Sequence, residues 1–103
     1  MNGYLKIARM GGDPGKLAAT YRNSAGVMRG VGEDHGLLVH AAATSDEGLV
    51  VVNLWPSKEG SESAAEDPRR LEVLAGLNLE PGDFRREHYD VVGYDLFAAH
   101  QPT

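Results

Sequence analysis

The chain has no cysteine at all. Disulfides, thiolate nucleophiles and cysteine-bound zinc or iron–sulfur clusters are therefore excluded, and any chemistry must come from other side chains. Positive charge is also scarce: 10 Lys and Arg stand against 15 Asp and Glu, a formal charge of −5. No basic run exceeds the pairs Arg69-Arg70 and Arg85-Arg86, which leaves no electrostatic footprint for nucleic acid or an anionic membrane. Long hydrophobic runs are missing too. The apolar stretches are of strand length, and Met1-Asn2-Gly3-Tyr4 has no charged head before an apolar segment, so a soluble cytoplasmic protein without a membrane partner is expected. There is no Gly-x-Ser-x-Gly elbow, phosphate-binding loop or dinucleotide fingerprint. Gly11-Gly12-x-x-Gly15 lacks the required spacing, and its Asp13-Pro14 suits a helix cap better than a phosphate.

What is present fits one ordinary globular domain over residues 1–103, since 42% hydrophobic and 24% charged residues argue against disorder. A chain this short buries only about two-thirds of its unfolded surface, so pairing with a second copy is a reasonable way to bury more. The organising stretch is Gly36 to Pro56, in which two apolar runs flank Thr44-Ser45-Asp46-Glu47-Gly48, the mark of a β-hairpin. Its second run is apolar on both faces and closes on Trp55-Pro56, where the missing proline amide stops the ladder. Helices can cover one face of that strand. The other must line a ligand cleft or meet a twin molecule.

In chain order, Tyr4 to Met10 alternates as a first strand, broken by Gly11-Gly12. Asp13-Pro14 then supplies a cap oxygen and a proline at the first helical position. The helix that follows places Leu17, Tyr21, Met28 and Val31 on one stripe, with Ala18 and Ala25 beside it, and is expected to end at Gly30 and Gly32. The hairpin strands fall near Leu37–Thr44 and Leu49–Trp55. Ser57 can cap a loose turn or two that Gly60 weakens, and Asp67-Pro68 starts a better helix to about Ala75, with Leu71, Leu74 and Leu77 buried and Gly76 at its C-cap. After a turn at Leu79-Glu80-Pro81-Gly82-Asp83, a long final strand spans Phe84 to Ala98, and His100 to Thr103 form a frayed tail. The order β-α-β-β-α-β, with right-handed crossovers, predicts a ferredoxin-like α+β fold: a four-stranded antiparallel sheet with both helices on one face, the first and third strands central.

On these residues the chain resembles a known family. The hairpin Asp46-Glu47-Gly48-Leu49-Val50-Val51-Val52-Asn53-Leu54-Trp55, then Ser57 and Glu59, then Asp67-Pro68-Arg69, is similar to the antibiotic biosynthesis monooxygenase-like group of dimeric α/β-barrel proteins. The resemblance implies a homodimer whose open sheet faces meet as a barrel. One branch of that group oxygenates polycyclic phenols without a cofactor, using an Asn and a Trp on the hairpin strand and a Tyr at the start of the second helix. Asn53 and Trp55 match in kind, although the family Asn lies four residues before its Trp. The Tyr position falls at about Ser61, which supplies no phenol. A haem-degrading branch needs a His late in the second helix and an Asn in the first strand; here the helix has no His and the strand offers Ala8.

The candidate site residues follow from placement. Asn53 and Trp55 lie two apart and share a strand face. Trp55 either plugs the end of the sheet or makes a stacking wall for an aromatic ligand, and a buried Asn53 needs a backbone or a ligand partner. His40, in Val39-His40-Ala41-Ala42-Ala43, has small neighbours that leave room before its ring and is either a satisfied or merely solvated histidine or a base toward a phenol or enol, since histidine as a class suits proton transfer near neutral pH. The expected catalytic set is His40, Asn53 and Trp55. Lys6, sharing a face with Ala8 and Met10, either meets an anionic ligand or snorkels at an edge. With His88 and Tyr94 on one face of the last strand, Lys6 and Ala8 make the expected ligand-binding set. Arg85-Arg86-Glu87 reads as a solvated charge cluster. His35 and His40 point to opposite strand faces, and His40 and His88 belong to opposite sheet edges, about 14 Å apart unless a partner chain brings them together, so no metal site is expected. The resemblance, with these residues, implies a homodimeric, cofactor-free monooxygenase-like protein for a small aromatic or polyketide-like compound. A non-catalytic binding or structural dimer is the alternative.

Overall fold

The structure, a computed structural model, describes residues 2–79 and 83–97. Strand β1 (Gly3–Gly11) leads to helix α1 (Pro14–Asp34), the hairpin strands β2 (Val39–Ser45) and β3 (Gly48–Trp55), the short helices α2 (Lys58–Ala65) and α3 (Pro68–Gly76), and strand β4 (Arg85–Val91). The strands form one sheet in the order β2-β3-β1-β4 with every neighbouring pair antiparallel. The ferredoxin-like topology expected from the sequence is therefore present, with β1 and β3 central.

Local chemistry sets the helix boundaries. Asp13 accepts a hydrogen bond from the Lys16 amide at 2.9 Å and Pro14 follows it. Asp67 repeats the pattern, accepting from the Arg69 amide at 2.9 Å ahead of Pro68. Ser57 accepts more weakly, from the Gly60 amide at 3.5 Å. The expected break at Gly30 and Gly32 does not occur. α1 runs to Asp34 and closes where Gly36 adopts φ 83° while the Leu37 amide reaches back to the Gly32 carbonyl at 2.9 Å, the bond pattern of a left-handed C-terminal cap. Gly32 serves packing instead, since a Cβ there would come within 2.8 Å of Leu37. α3 closes in the same way on Asn78 (φ 56°) rather than on Gly76, with Leu79 bonded to the Leu74 carbonyl at 2.8 Å. Gly60 also has a positive role: a Cβ would lie 2.7 Å from the His35 carbonyl, so glycine lets α2 approach the end of α1.

Two further expectations change. Leu71 faces outward at 45% exposure, and Val73, Leu74 and Leu77 form the inner stripe of α3. The last strand ends at Val91 and does not run on through Phe97, because among the described residues β1 is its only partner and Val91 pairs with Gly3, the first residue of that strand. Beyond it Val92, Leu96 and Phe97 are exposed and Tyr94 lies beside Gly3. The turn at 80–82, Ala98 and the tail from His100 lie outside the described residues.

The sheet has two unlike faces. Toward the helices point Tyr4, Lys6, Ala8 and Met10 of β1 and Leu49, Val51, Asn53 and Trp55 of β3, and the opposite face carries Leu5, Ile7, Val50, Val52 and Leu54. That second face is left uncovered by the helices, with Val39 and Tyr89 exposed at 40% and 47%. On the helix side the packed core is Tyr4, Val31, Trp55 and Ala64, with Leu37 against it. It gathers at the Trp55 end, and the remainder of the space between sheet and helices is a cleft.

The end of α1 is clamped to the start of α3. Buried Asp67 receives Arg69 through its Nε at 3.1 Å and Nη2 at 2.8 Å, and His35 Nε2 at 2.9 Å, while Arg69 also reaches Asp34 at 2.8 Å. Arg69, then His35, hold the Asp67 carboxyl well below the usual carboxylate range. His35 is thereby committed to structure.

Candidate active site

The cleft encloses about 180 Å³ between the sheet and all three helices, and its walls include Lys6, Ala8, Tyr21, His40, Asn53 and Trp55. The three residues expected to act together do converge on it. Antiparallel register places His40 directly opposite Asn53 on the neighbouring strand, and His40 Nδ1 lies 2.6 Å from Asn53 Oδ1. An amide oxygen only accepts, so Nδ1 carries the hydrogen and Nε2 of the neutral ring is left as the acceptor. The Tyr21 hydroxyl donates to that acceptor, lying 2.5 Å from His40 Nε2, and the two rings stack with centroids 5.8 Å apart. The half-buried Asn53 amide thus has a side-chain partner, the exposed His40 ring, and this pairing favours the Nδ1–H tautomer.

Tyr21 is the residue that sequence reasoning placed only on the apolar stripe of α1. The phenol sought near Ser61 is missing there, since Ser61 is a buried serine on the cleft wall, and α1 brings one in from the other side. The available signal was a tyrosine within an otherwise aliphatic stripe. A second cavity of about 550 Å³ between α1 and β2 shares Tyr21 and His40 with the cleft, so the pair forms a wall common to both.

Trp55 is buried at 4% exposure in both the core and the cleft wall, and its indole N–H has no acceptor among the described residues. Ala8 lines the cleft floor. His88 and Tyr94 do not line it: His88 Nδ1 lies 2.6 Å from the Tyr4 hydroxyl at the far edge of the sheet. His40 and His88 sit on opposite edge strands. Among the described residues no three His, Asp or Glu side chains converge as metal donors.

Lys6 lies opposite Asn53 on one side and His88 on the other. Burial first, then the charges of Arg86 and Arg70, lower its pKa to about 8. Arg86 lines the cleft while Arg85 and Glu87 turn to the other sheet face, where Glu87 pairs with Arg9 at 2.8 Å. The expected solvated cluster is thus split by strand alternation. Because the folded chain releases the Lys6 proton near pH 8 and the unfolded chain near 10.5, the unfolded state binds more protons between those values and stability rises with pH across them. The cost is present in full at neutral pH. Solvent contact discounts it, and Lys6→Met is expected to raise stability at pH 7 by about 1–2 kcal/mol and to flatten that rise, as read by urea unfolding at a series of pH values.

No family model matches the chain, and no curated protein matches it. Solved structures do. A monooxygenase, ActVA-Orf6 of Streptomyces coelicolor, determined in complex with nanaomycin D, superposes with a TM-score of 0.71 at 21% identity, covering 93% of both chains. The cofactor-independent oxygenase SnoaB of Streptomyces nogalater gives 0.58 at 14% identity over 95% of this chain and 97% of its own. A dimeric ferredoxin-like protein from an uncultured marine organism gives 0.60 at 13% identity over 96% and 95%. The same fold also occurs in a protein of unknown function. At these identities the likeness is one of fold. No described helix is long and apolar enough to cross a membrane. The chain has a ferredoxin-like fold whose structural neighbours include antibiotic biosynthesis monooxygenase-like proteins.

Proposed function

We propose that residues 1–103 form one domain of a homodimeric, cofactor-independent monooxygenase-like protein that oxidises a small hydroxylated aromatic compound in the cleft of each protomer. The observation that carries this reading is the Tyr21–His40–Asn53 chain of hydrogen bonds on the cleft wall. A ligand hydroxyl beside Tyr21 gives its proton to the Tyr21 oxygen as the Tyr21 proton moves to His40 Nε2, and Asn53 steadies the resulting imidazolium through Nδ1–H. The electron-rich phenolate then reduces dioxygen directly. One oxygen atom forms a carbonyl on the ring carbon, which loses its hydrogen; the other leaves as water, so a phenol and dioxygen give a quinone and water with no external reductant. Trp55 supplies an aromatic wall. The fold neighbours named as a monooxygenase and as a cofactor-independent oxygenase support the reaction class.

The homodimer rests on the uncovered face of Leu5, Ile7, Val50, Val52 and Leu54, an apolar surface that a second copy would bury. The second reading, a binding dimer without catalysis, is favoured by Ser61, which stands where the resemblance would require a phenol. Oxygen-electrode traces with anthrone-type and naphthol substrates separate the two. The enzyme reading expects uptake matched by quinone formation, whereas binding without uptake across the panel supports the second.

A further inference from the structure

The Lys6 side chain is held in the cleft without a partner. It enters from β1 in the middle of the sheet, and among the described residues its ammonium makes neither a hydrogen bond nor an ion pair. Burial is the largest cause of its lowered pKa of about 8, ahead of Arg86 and Arg70, so the neutral amine is within reach of ordinary pH whatever Arg86 itself meets. Arg70 approaches from α3, its Nη1 donating to the Ala65 carbonyl at 2.9 Å. A lysine that is desolvated and set beside another cation is the arrangement that turns an ammonium into a nucleophile. The other two lysines, Lys16 and Lys58, are exposed on helices, and Lys58 pairs with Glu62 at 3.6 Å.

The neighbours of Lys6 suit that chemistry. Antiparallel register puts His40, Asn53 and Lys6 in one row across β2, β3 and β1, and the Cβ atoms of directly opposed residues such as Lys6 and Asn53 lie about 5 Å apart. Asn53 engages His40 through its oxygen, and its amide nitrogen donates to nothing among the described residues. Both amide hydrogens can therefore turn to an oxygen atom beside Lys6. A nucleophile next to a donor for a developing oxyanion is the pairing that addition to a carbonyl requires. An apolar cavity of about 150 Å³ holds one benzene ring, so the cleft of about 180 Å³ suits a carbonyl compound built on a single ring.

We propose that Lys6 is a nucleophile that holds a small aromatic aldehyde or ketone as an imine, with Asn53 donating to the carbonyl oxygen during the attack. The lone pair of the Lys6 nitrogen forms the bond to the carbonyl carbon, and the carbonyl oxygen then leaves as water with both hydrogens of the neutral amine. No oxidant or reductant is consumed. This goes beyond the oxygenation reading and does not depend on it.

The test is trapping with benzaldehyde and sodium cyanoborohydride, which reduces an imine to a stable benzylamine, with the labelled positions read by peptide mass mapping. At pH 8 Lys6 is expected to be labelled at least about tenfold faster than Lys16 or Lys58, because an ordinary lysine is under about 1% neutral there. That ratio should fall as the pH rises from 8 to 10, since Lys6 is already deprotonated while the others become so. Asn53→Leu should slow the labelling of Lys6 alone by about tenfold or more. Lys6→Arg, which keeps the charge, should lose only that label, and thermal melts confirm that both variants fold. Labelling spread evenly over the three lysines, a Lys6 that stays unlabelled, or a Lys6 rate indifferent to Asn53→Leu overturns the proposal. None of these outcomes bears on oxygen uptake, so the oxygenation reading stands or falls separately.

Discussion

His40→Ala is expected to lower the rate of oxygen uptake by about 10²–10⁴-fold, the range that a positioned general base contributes, with the fold and ligand affinity nearly unchanged. The small affinity effect follows from geometry, because both ring nitrogens of His40 are already engaged by the protein, Nε2 by the Tyr21 hydroxyl and Nδ1 by Asn53. Tyr21→Phe keeps the stacked ring and deletes the relay hydroxyl, leaving His40 to accept the proton across a gap, so its loss should be smaller. If the two residues act as one chain, the double variant loses no more than His40→Ala alone. Losses that multiply would show two independent groups and remove the relay. Steady-state oxygen uptake on the four proteins decides between these outcomes.

The second large effect concerns the uncovered face. Val52 is a central residue of that face, directly between Ile7 of β1 and Ala41 of β2. In a dimer that joins these faces, Val52→Asp buries an unpaired carboxylate in each subunit, at a cost of about 3–5 kcal/mol. Even one of the two carboxylates should therefore raise the dissociation constant by roughly two to four orders of magnitude. Sedimentation equilibrium should show a dimer for the native chain and a monomer for the variant at the same concentration. A native chain that sediments as a monomer, or a variant that remains dimeric, would show that the face is covered in some other way. His40, Asn53 and Tyr21 all belong to the opposite side of the sheet, so the variant's cleft chemistry should survive dissociation.

How much of this was legible in the sequence depends on how local the cause is. The caps at Asp13-Pro14 and Asp67-Pro68 were readable because a side-chain oxygen and a fixed φ act within a few residues. The shared face of Asn53 and Trp55 followed from the two-residue period of a strand. His40 meeting Asn53 required only hairpin register. Tyr21 was not readable as a partner of His40, because the helix residue that lies above a given strand residue is set by three-dimensional packing rather than by periodicity. Arg70 and Arg86 were hidden for the same reason, appearing as parts of two basic pairs whose members turn out to face different ways. The long last strand was misjudged because the β-branched and aromatic residues after Val91 meet strand propensity, whereas a strand lasts only as long as its neighbour. Gly30 and Gly32 read as a helix end, but the true stop is Gly36, where the backbone turns left-handed.

The claim on which the mechanism stands is the protonation pattern of one ring: Asn53 holds the hydrogen of His40 on Nδ1, so that Nε2 is a lone pair turned through Tyr21 to the cleft. A long-range proton–nitrogen NMR spectrum of the histidine rings reads that pattern directly, above the pH at which the ring is neutral. The account predicts that His40 carries its hydrogen on Nδ1, that Asn53→Leu shifts the ring toward the Nε2–H form, and that 2-naphthol perturbs the Nε2 signal. A His40 ring found with its hydrogen on Nε2 in the native protein, or one indifferent to both Asn53 and the ligand, would contradict it.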